Sequence, residues 1–329
     1  MKKLSLALVL ALCVTMLSSC GAPKRYSITY MDVFDTVSEF TAYCDSAATF
    51  DAISDAVHGE LLRLHRLFDI YETYEGIVNA KTLNDAAGGD AVEAEADLLA
   101  LVALGTAFAE TTDGKLNVAL GSVLSLWHEC REAGDRIPTE AALIEAAKHT
   151  EIGSIVAEGN KIRITDAETR LDFGAIAKGY AAEAAARVAE SFGLSDFVLN
   201  LGGNLVVRGK KPDGAWKIGI QNPDGGILTT LSVCDVSVVT SGDYQRYFEV
   251  DGVRYAHIID PDTGMPARRY RAVTVIASDS AVADALSTAL FCMTREAGAA
   301  LCETYGAEAL WVLPDGTQER TEGFGAYET

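Results

Sequence analysis

The sequence predicts an α+β fold: a mostly antiparallel sheet with helices packed against it. Two observations carry that reading. Segments with apolar residues three and four apart dominate the first half, whereas residues 196–275 break into short strands separated by turn residues. In addition, no GxGxxG opens a strand–helix–strand unit, so a doubly wound dinucleotide fold is disfavoured. No repeat period and no linker divides the chain, which points to one domain over residues 27–329.

Taken in order, residues 27–43 carry strand-like residues around Phe34-Asp35-Thr36. Residues 50–68 place Ile53, Val57, Leu61, Leu64 and Phe68 on one helical face. A second apolar helix is expected over 94–109, stopped near Thr111-Thr112-Asp113-Gly114, and a third over 139–148 after Pro138. Residues 152–171 read as short strands around a Glu158-Gly159-Asn160 turn, and 175–192 as an Ala-rich helix ended by Gly193. Strands are expected at 197–201, 205–207, 216–220, 229–233, 247–250 and 272–276. A helix follows over 281–293, and a strand over 309–313 closes the pattern.

Composition sets limits on function. Lys and Arg total 27 against 47 Asp and Glu, a net charge of −20 with no basic run beyond the N-terminus, which speaks against nucleic acid as a partner. Five histidines with no CxxC and no HExxH exclude the familiar zinc spacings. At the N-terminus, Lys2-Lys3 precede an apolar stretch over 4–17, too short for a comfortable membrane span, and Leu17-Ser18-Ser19-Cys20 follows. That ending resembles a bacterial lipobox. It predicts a leader over 1–19, lipidation at Cys20, a short tether over 20–26, and an exported chain held to a bacterial membrane on its extracytoplasmic face. Beyond Cys20 and the leader's Cys13, the cysteines Cys44, Cys130, Cys234, Cys292 and Cys302 are odd in number and mostly among apolar neighbours. Buried free thiols are expected.

Four stretches carry chemistry. In the first, a strand ends at Asp172, Gly174 turns, and a helix is expected from Ala175. A carboxylate, free backbone groups and Lys178 then meet at an anion-favouring helix start, or else Asp172 simply caps that helix. The second, Asn200-Leu201-Gly202-Gly203-Asn204, allows either a tight hairpin or close approach of a ligand. Third come Ser241–Tyr247 and a strand at His257 running into an Asp260-Pro261-Asp262-Thr263-Gly264 turn, where His257 is a base, a ligand contact or a satisfied core histidine. Last, Asp284, Ser287 and Thr288 are i, i+3 and i+4 on one helix. Their oxygens are hard ligands suited to Mg²⁺, or else a polar face bonding back to its own carbonyls.

Taken together, residues 171–183, 200–204, 241–247, 257–266 and 283–290 resemble the successive motifs of the ApbE family, bacterial FAD:protein FMN transferases. Phe34-Asp35-Thr36 stands where many members have Met-Gly-Thr. Leu67–Tyr71 with Leu83-Asn84, and Thr112–Asn117 with Leu126-Trp127, stand at the intervening motifs. The resemblance implies a single T-fold-like α+β domain that uses Mg²⁺ and takes FAD as substrate. It implies transfer of FMN to a Thr or Ser hydroxyl of an exported or membrane target flavoprotein, with release of AMP. Hydrolysis of FAD to FMN and AMP is the alternative on the same site, and a non-catalytic FAD-binding lipoprotein is the alternative of another class. By position, Ala175 (through its backbone oxygen), Asp284 and Thr288 would hold the metal, with Ser287 adjacent. Phe34, Tyr71, Lys115, Leu116, Asn117, Asp172, Lys178 and Ile259 would contact FAD. Lys178 would add charge at the phosphates, and His257 or Asp284 would serve as general base.

Overall fold

The computed structural model describes residues 22–329, so the expected leader and Cys20 lie outside the described residues. A hairpin of β1 (Lys24–Val33) and β2 (Thr36–Cys44) opens the domain, and α1 (Ala47–Phe68) follows, capped by Ser46. Next come α2 (Ala80–Asp85), β3 (Val92–Glu93), α3 (Ala96–Thr111), α4 (Gly121–Ala133), α5 (Glu140–Ala147), β4 (Ile155–Glu158), β5 (Lys161–Ile164) and α6 (Ala177–Ser191). Seven strands then run almost without interruption: β6 (Phe197–Leu201), β7 (Asn204–Arg208), β8 (Trp216–Gln221), β9 (Ile227–Val233), β10 (Val236–Gly242), β11 (Tyr247–Val250) and β12 (Val253–Ala256). The chain finishes with β13 (Ile259–Asp260), β14 (Met265–Pro266), β15 (Ala272–Ala277), α7 (Ser280–Cys292), α8 (Arg295–Tyr305), β16 (Glu308–Val312) and β17 (Gln318–Arg320).

The frame is an eight-stranded antiparallel sheet in the order β1-β2-β6-β7-β10-β15-β16-β17. This is the expected α+β class. On one face lie α1, α6 and α7. The apolar stripe of α1 is buried, and α6 buries Ala181, Ala182, Ala185, Ala186 and Ala189, small side chains that let its neighbours come close. The other face is covered by the β8–β9 hairpin, whose Trp216, Ile218 and Leu231 pack with Val207, Val238 and Phe324. A smaller cluster of Leu120, Val123, Trp127, Leu143 and Ile259 sits beneath α4 and α5.

Several expectations are corrected. β1 begins at Lys24, inside the stretch expected to be tether, because Lys24 and Arg25 pair with Cys44 and Tyr43. Phe34 and Asp35 are the turn of a hairpin rather than strand, with φ of 54° and 49°. Helix α6 starts at Ala177, two residues later than expected, since the Ile176 and Ala177 amides both donate to the Phe173 carbonyl and close a turn first. Strand β10, the centre of the sheet, goes unrecognised in the sequence because Ser237, Thr240 and Ser241 interrupt its apolar pattern. Ser237 is buried, and Thr240 is bonded to Thr274 of β15. Helices α2, α4 and α8 are also unforeseen; α8 buries only Gly298, Leu301 and Cys302 and has no long apolar stripe. Four of the five described cysteines are buried, but Cys234, in the turn between β9 and β10, is exposed. Among the described residues, no helix is long and apolar enough to cross a membrane.

Candidate active site

The site is built where α6 meets α7. The Gly179 amide donates to Asp284 Oδ2 at 2.8 Å, and the Glu183 carboxylate, one turn further along α6, accepts from the Ser280 amide at the start of α7. Each helix thus supplies a group that the other leaves unsatisfied. Only glycine fits at 179, because a Cβ would stand 2.3 Å from the Ser280 carbonyl oxygen and 2.5 Å from Asp284 Cβ. Lys178 Nζ lies 3.8 Å from Asp284 Oδ1. Burial pushes the Asp284 carboxyl up, against the pull of Lys178 and the Gly179 amide. Asn204 faces the same carboxylate and pulls with them, although its buried Nδ2 has no hydrogen-bond partner among the described residues.

Around this corner the donor set for a hard cation can be tested. With the Gly179 amide turned to Asp284, no backbone amide among the described residues donates to the Ala175 carbonyl. Asp284 Oδ1 stands 3.8 Å from the Lys178 ammonium, and neither it nor the half-buried Thr288 hydroxyl has a hydrogen-bond partner among the described residues. Ser287 differs: its hydroxyl donates to the Asp284 carbonyl at 2.9 Å and lies 2.8 Å from Ser241 Oγ. Three free oxygens of hard type suit Mg²⁺, and Ser287 is the one member of the set already engaged. Among the described residues, no group of three or more His, Cys, Asp or Glu side chains is placed to hold a metal, so this set relies on a backbone oxygen and a hydroxyl beside Asp284.

Hairpin turns close the rest of the site. Gly202 and Gly203 take φ of 60° and 96° in the β6–β7 turn, and a Cβ on Gly202 would meet Thr36 Oγ1 at 2.3 Å. This glycine pair therefore makes a tight hairpin, and what approaches it closely is the Phe34–Thr36 turn. Arg246 Nη2 donates to the Asp35 carbonyl at 3.2 Å and fixes that turn from the other side. A cleft of about 380 Å³ opens here, lined by Asp35, Arg131, Gln245, Arg246 and Tyr247. Phe34 packs edge-on against His65, and Tyr71, 54% exposed, stacks at 5.1 Å on His128 of α4.

The charges converge on the same place. His257 Nδ1 lies 3.1 Å from the Arg246 carbonyl, so that nitrogen carries the proton and Nε2 is left free. Burial lowers the His257 pKa to about 4, and the cations Lys178, Arg246 and Arg131 push it the same way. Asp172 accepts from the Gly174 amide at 2.8 Å. Burial raises its pKa, while Gly174, His128 and Arg131 draw it down. The Tyr71 hydroxyl is raised by burial and by Asp172.

The other expected contacts sit to one side. Lys115 pairs with Asp260, at 3.3 Å, and with Asp262, which places it beside Ile259. Leu116 is buried in the main core, and the Asn117 side chain bridges the Thr150 carbonyl and the Ala119 amide. This group joins the cleft through the Asp172 amide, which donates to the Val118 carbonyl at 2.9 Å. Arg131 and His128 escape the sequence reading, and Arg246, inside the 241–247 stretch, is given no role there. Arg131 and His128 lie on the unforeseen α4, and only a structure brings that helix to the cleft.

A net-acidic α+β domain with Arg131 and Arg246 lining one cleft, and Lys178 joining them around His257, offers positive charge to an anionic ligand. The chain belongs to the ApbE family, whose model matches residues 26–311. It is similar to an FAD:protein FMN transferase from Treponema pallidum, 35% identical over 280 residues that cover 77% of each chain. A namesake from Vibrio cholerae is 35% identical over 216 residues, 63% of this chain and 65% of that one. Among solved structures, the ApbE protein of Thermotoga maritima superposes with a TM-score of 0.84 at 32% identity, covering 93% of this chain and all of that one.

Proposed function

We propose that the chain is an FAD:protein FMN transferase, which moves FMN from FAD onto a Thr or Ser hydroxyl of a target flavoprotein and releases AMP. The observation that carries this reading is the α6–α7 corner, where Lys178, Asp284 and the free Ala175 carbonyl meet beside a cationic cleft. In the reaction the acceptor oxygen bonds to the FMN phosphorus, the pyrophosphate P–O bond breaks, and its electron pair leaves with AMP. Lys178 adds positive charge where the departing phosphate becomes more negative. His257 Nε2 is neutral and unpartnered, ready to take the acceptor proton; the Asp284 carboxylate is the second candidate for that role. Phe34, Tyr71, Asp172 and Lys178 contact FAD at the cleft, and Lys115, Leu116, Asn117 and Ile259 do so from the neighbouring group. The Ala175 oxygen, Asp284 and Thr288 would hold Mg²⁺, which when bound supplies charge neutralisation at the pyrophosphate. We also read Cys20 as a lipidated N-terminus that holds the exported domain at a membrane.

The test is incubation with FAD, Mg²⁺ and a candidate acceptor, reading in-gel flavin fluorescence and AMP together. Covalent fluorescence with matching AMP supports transfer. AMP without a fluorescent band would make the protein an FAD pyrophosphatase, and FAD binding without AMP would make it a non-catalytic binder.

A further inference from the structure

The position of β1 has a consequence for how the domain meets the membrane. Only residues 21–23 separate Cys20 from Lys24, so a lipidated Cys20 holds the start of β1 within about 14 Å of the lipid. Three elements span the distance from that end to the cleft. The ten residues of β1 reach the Phe34–Asp35 turn after about 30 Å at ~3.3 Å per residue. The 22 residues of α1 run from Ala47, just past the end of β2, toward Tyr71 over about 33 Å. Helix α6 runs the opposite way, from Lys178 at the cleft to its last turn, where Glu190 accepts from Arg208 at the end of β7. Phe34, Tyr71 and Lys178 therefore all sit at the end of the domain remote from Cys20.

The near end carries basic side chains. Lys24, Arg25 and Lys210 are exposed there without ion-pair partners among the described residues, and Lys211 is beside them. Of the nearby acids, Asp196 and Asp235 are engaged by the Lys210 and Gly209 amides, Asp235 while still exposed, and Asp45 and Asp213 face outward. Phe192, 54% exposed, follows α6 at this end. The flanks instead present Asp32, Glu39 and Asp55 to solvent. An anionic bilayer repels those flanks and tolerates the near end.

We propose that the end of the domain formed by Lys24, Arg25, Lys210 and Lys211 faces the bilayer, with β1 and α1 upright. The cleft then opens about 30 Å above the lipid surface, and the hydroxyls it serves lie on extramembrane parts of their proteins. This rests on the lipidation reading of Cys20. The test places one fluorophore on native Cys234, at the near end, or on Met31→Cys in a Cys234→Ser background, at the cleft end, where Met31 is 77% exposed. The lipidated full chain is bound to vesicles carrying an energy acceptor on their headgroups. Transfer severalfold more efficient from Cys234 than from Met31→Cys is expected. Flotation with the vesicles, and its loss in Cys20→Ser, reports the anchor separately. Equal or reversed transfer from a chain that floats overturns the orientation and leaves the anchor standing. A wild-type chain that does not float overturns both, and leaves the transferase assay unaffected.

Discussion

Gly179 and Asp284 are held together across two helices: the glycine amide donates to the carboxylate at 2.8 Å, and no side chain fits between them. This one bond turns the Gly179 amide away from the Ala175 carbonyl, seats Asp284 in the core beside Lys178, and sets the spacing of α6 and α7. Helix propensity alone would favour alanine at 179 by about 1 kcal/mol. Gly179→Ala is expected to destabilise instead, by roughly 1–3 kcal/mol, because backbone rather than flexible side chain must move. Denaturant unfolding checks it; a more stable variant would show that the close approach does not constrain the helices.

Asp284→Asn separates the two duties of that side chain. The amide oxygen still accepts from Gly179, so the variant is expected to fold with near-native stability. It should nevertheless lose Mg²⁺-dependent AMP release, because a carboxylate charge is what a hard cation draws on. Turnover close to wild type at limiting Mg²⁺ would remove Asp284 from the metal set.

Much of this arrangement is legible in the sequence, and the rest is hidden for physical reasons. The i, i+3, i+4 spacing of Asp284, Ser287 and Thr288 follows from helix geometry, and the Gly202-Gly203 pair from the φ values its turn requires. What spacing cannot say is which hydroxyl is already engaged. Ser287 is taken by Ser241 of β10, a strand whose own polar residues conceal it. Arg131 and His128 are invisible for a different reason: α4 crowds its charges, Glu129, Arg131 and Glu132, into its second half, and its buried Val123 and Trp127 belong to a small satellite cluster.

His257 gives a pH dependence with a definite sign. Its pKa falls from 6.5 to about 4, so the unfolded chain binds more protons between those values. Its contribution to stability is therefore complete above pH 6.5 and is lost as pH falls toward about 4. His257→Gln is expected to flatten the stability profile in that window, measured by unfolding at a series of pH values. If Nε2 is the base, AMP release in the wild type should hold down to pH values near 4 rather than fail near 6.5. An acid limb centred at 6.5 would assign the proton transfer elsewhere.

The last prediction concerns Lys178, the second residue of α6. Its ammonium stands 3.8 Å from Asp284 Oδ1, too long for a firm bond and short enough to be recruited by an anion arriving at the helix start. A contact that strengthens as charge develops on the cleaving pyrophosphate lowers turnover more than affinity when it is removed. Lys178→Ala is therefore expected to lose at least roughly tenfold in rate, the scale of one charge-assisted contact, while FAD still binds. Lys178→Arg keeps the charge with a different reach and should recover part of the loss. Equilibrium FAD binding and single-turnover AMP release on the same variants decide the matter. Weakened binding with an unchanged single-turnover rate would make Lys178 a ground-state contact that does no more than hold the substrate.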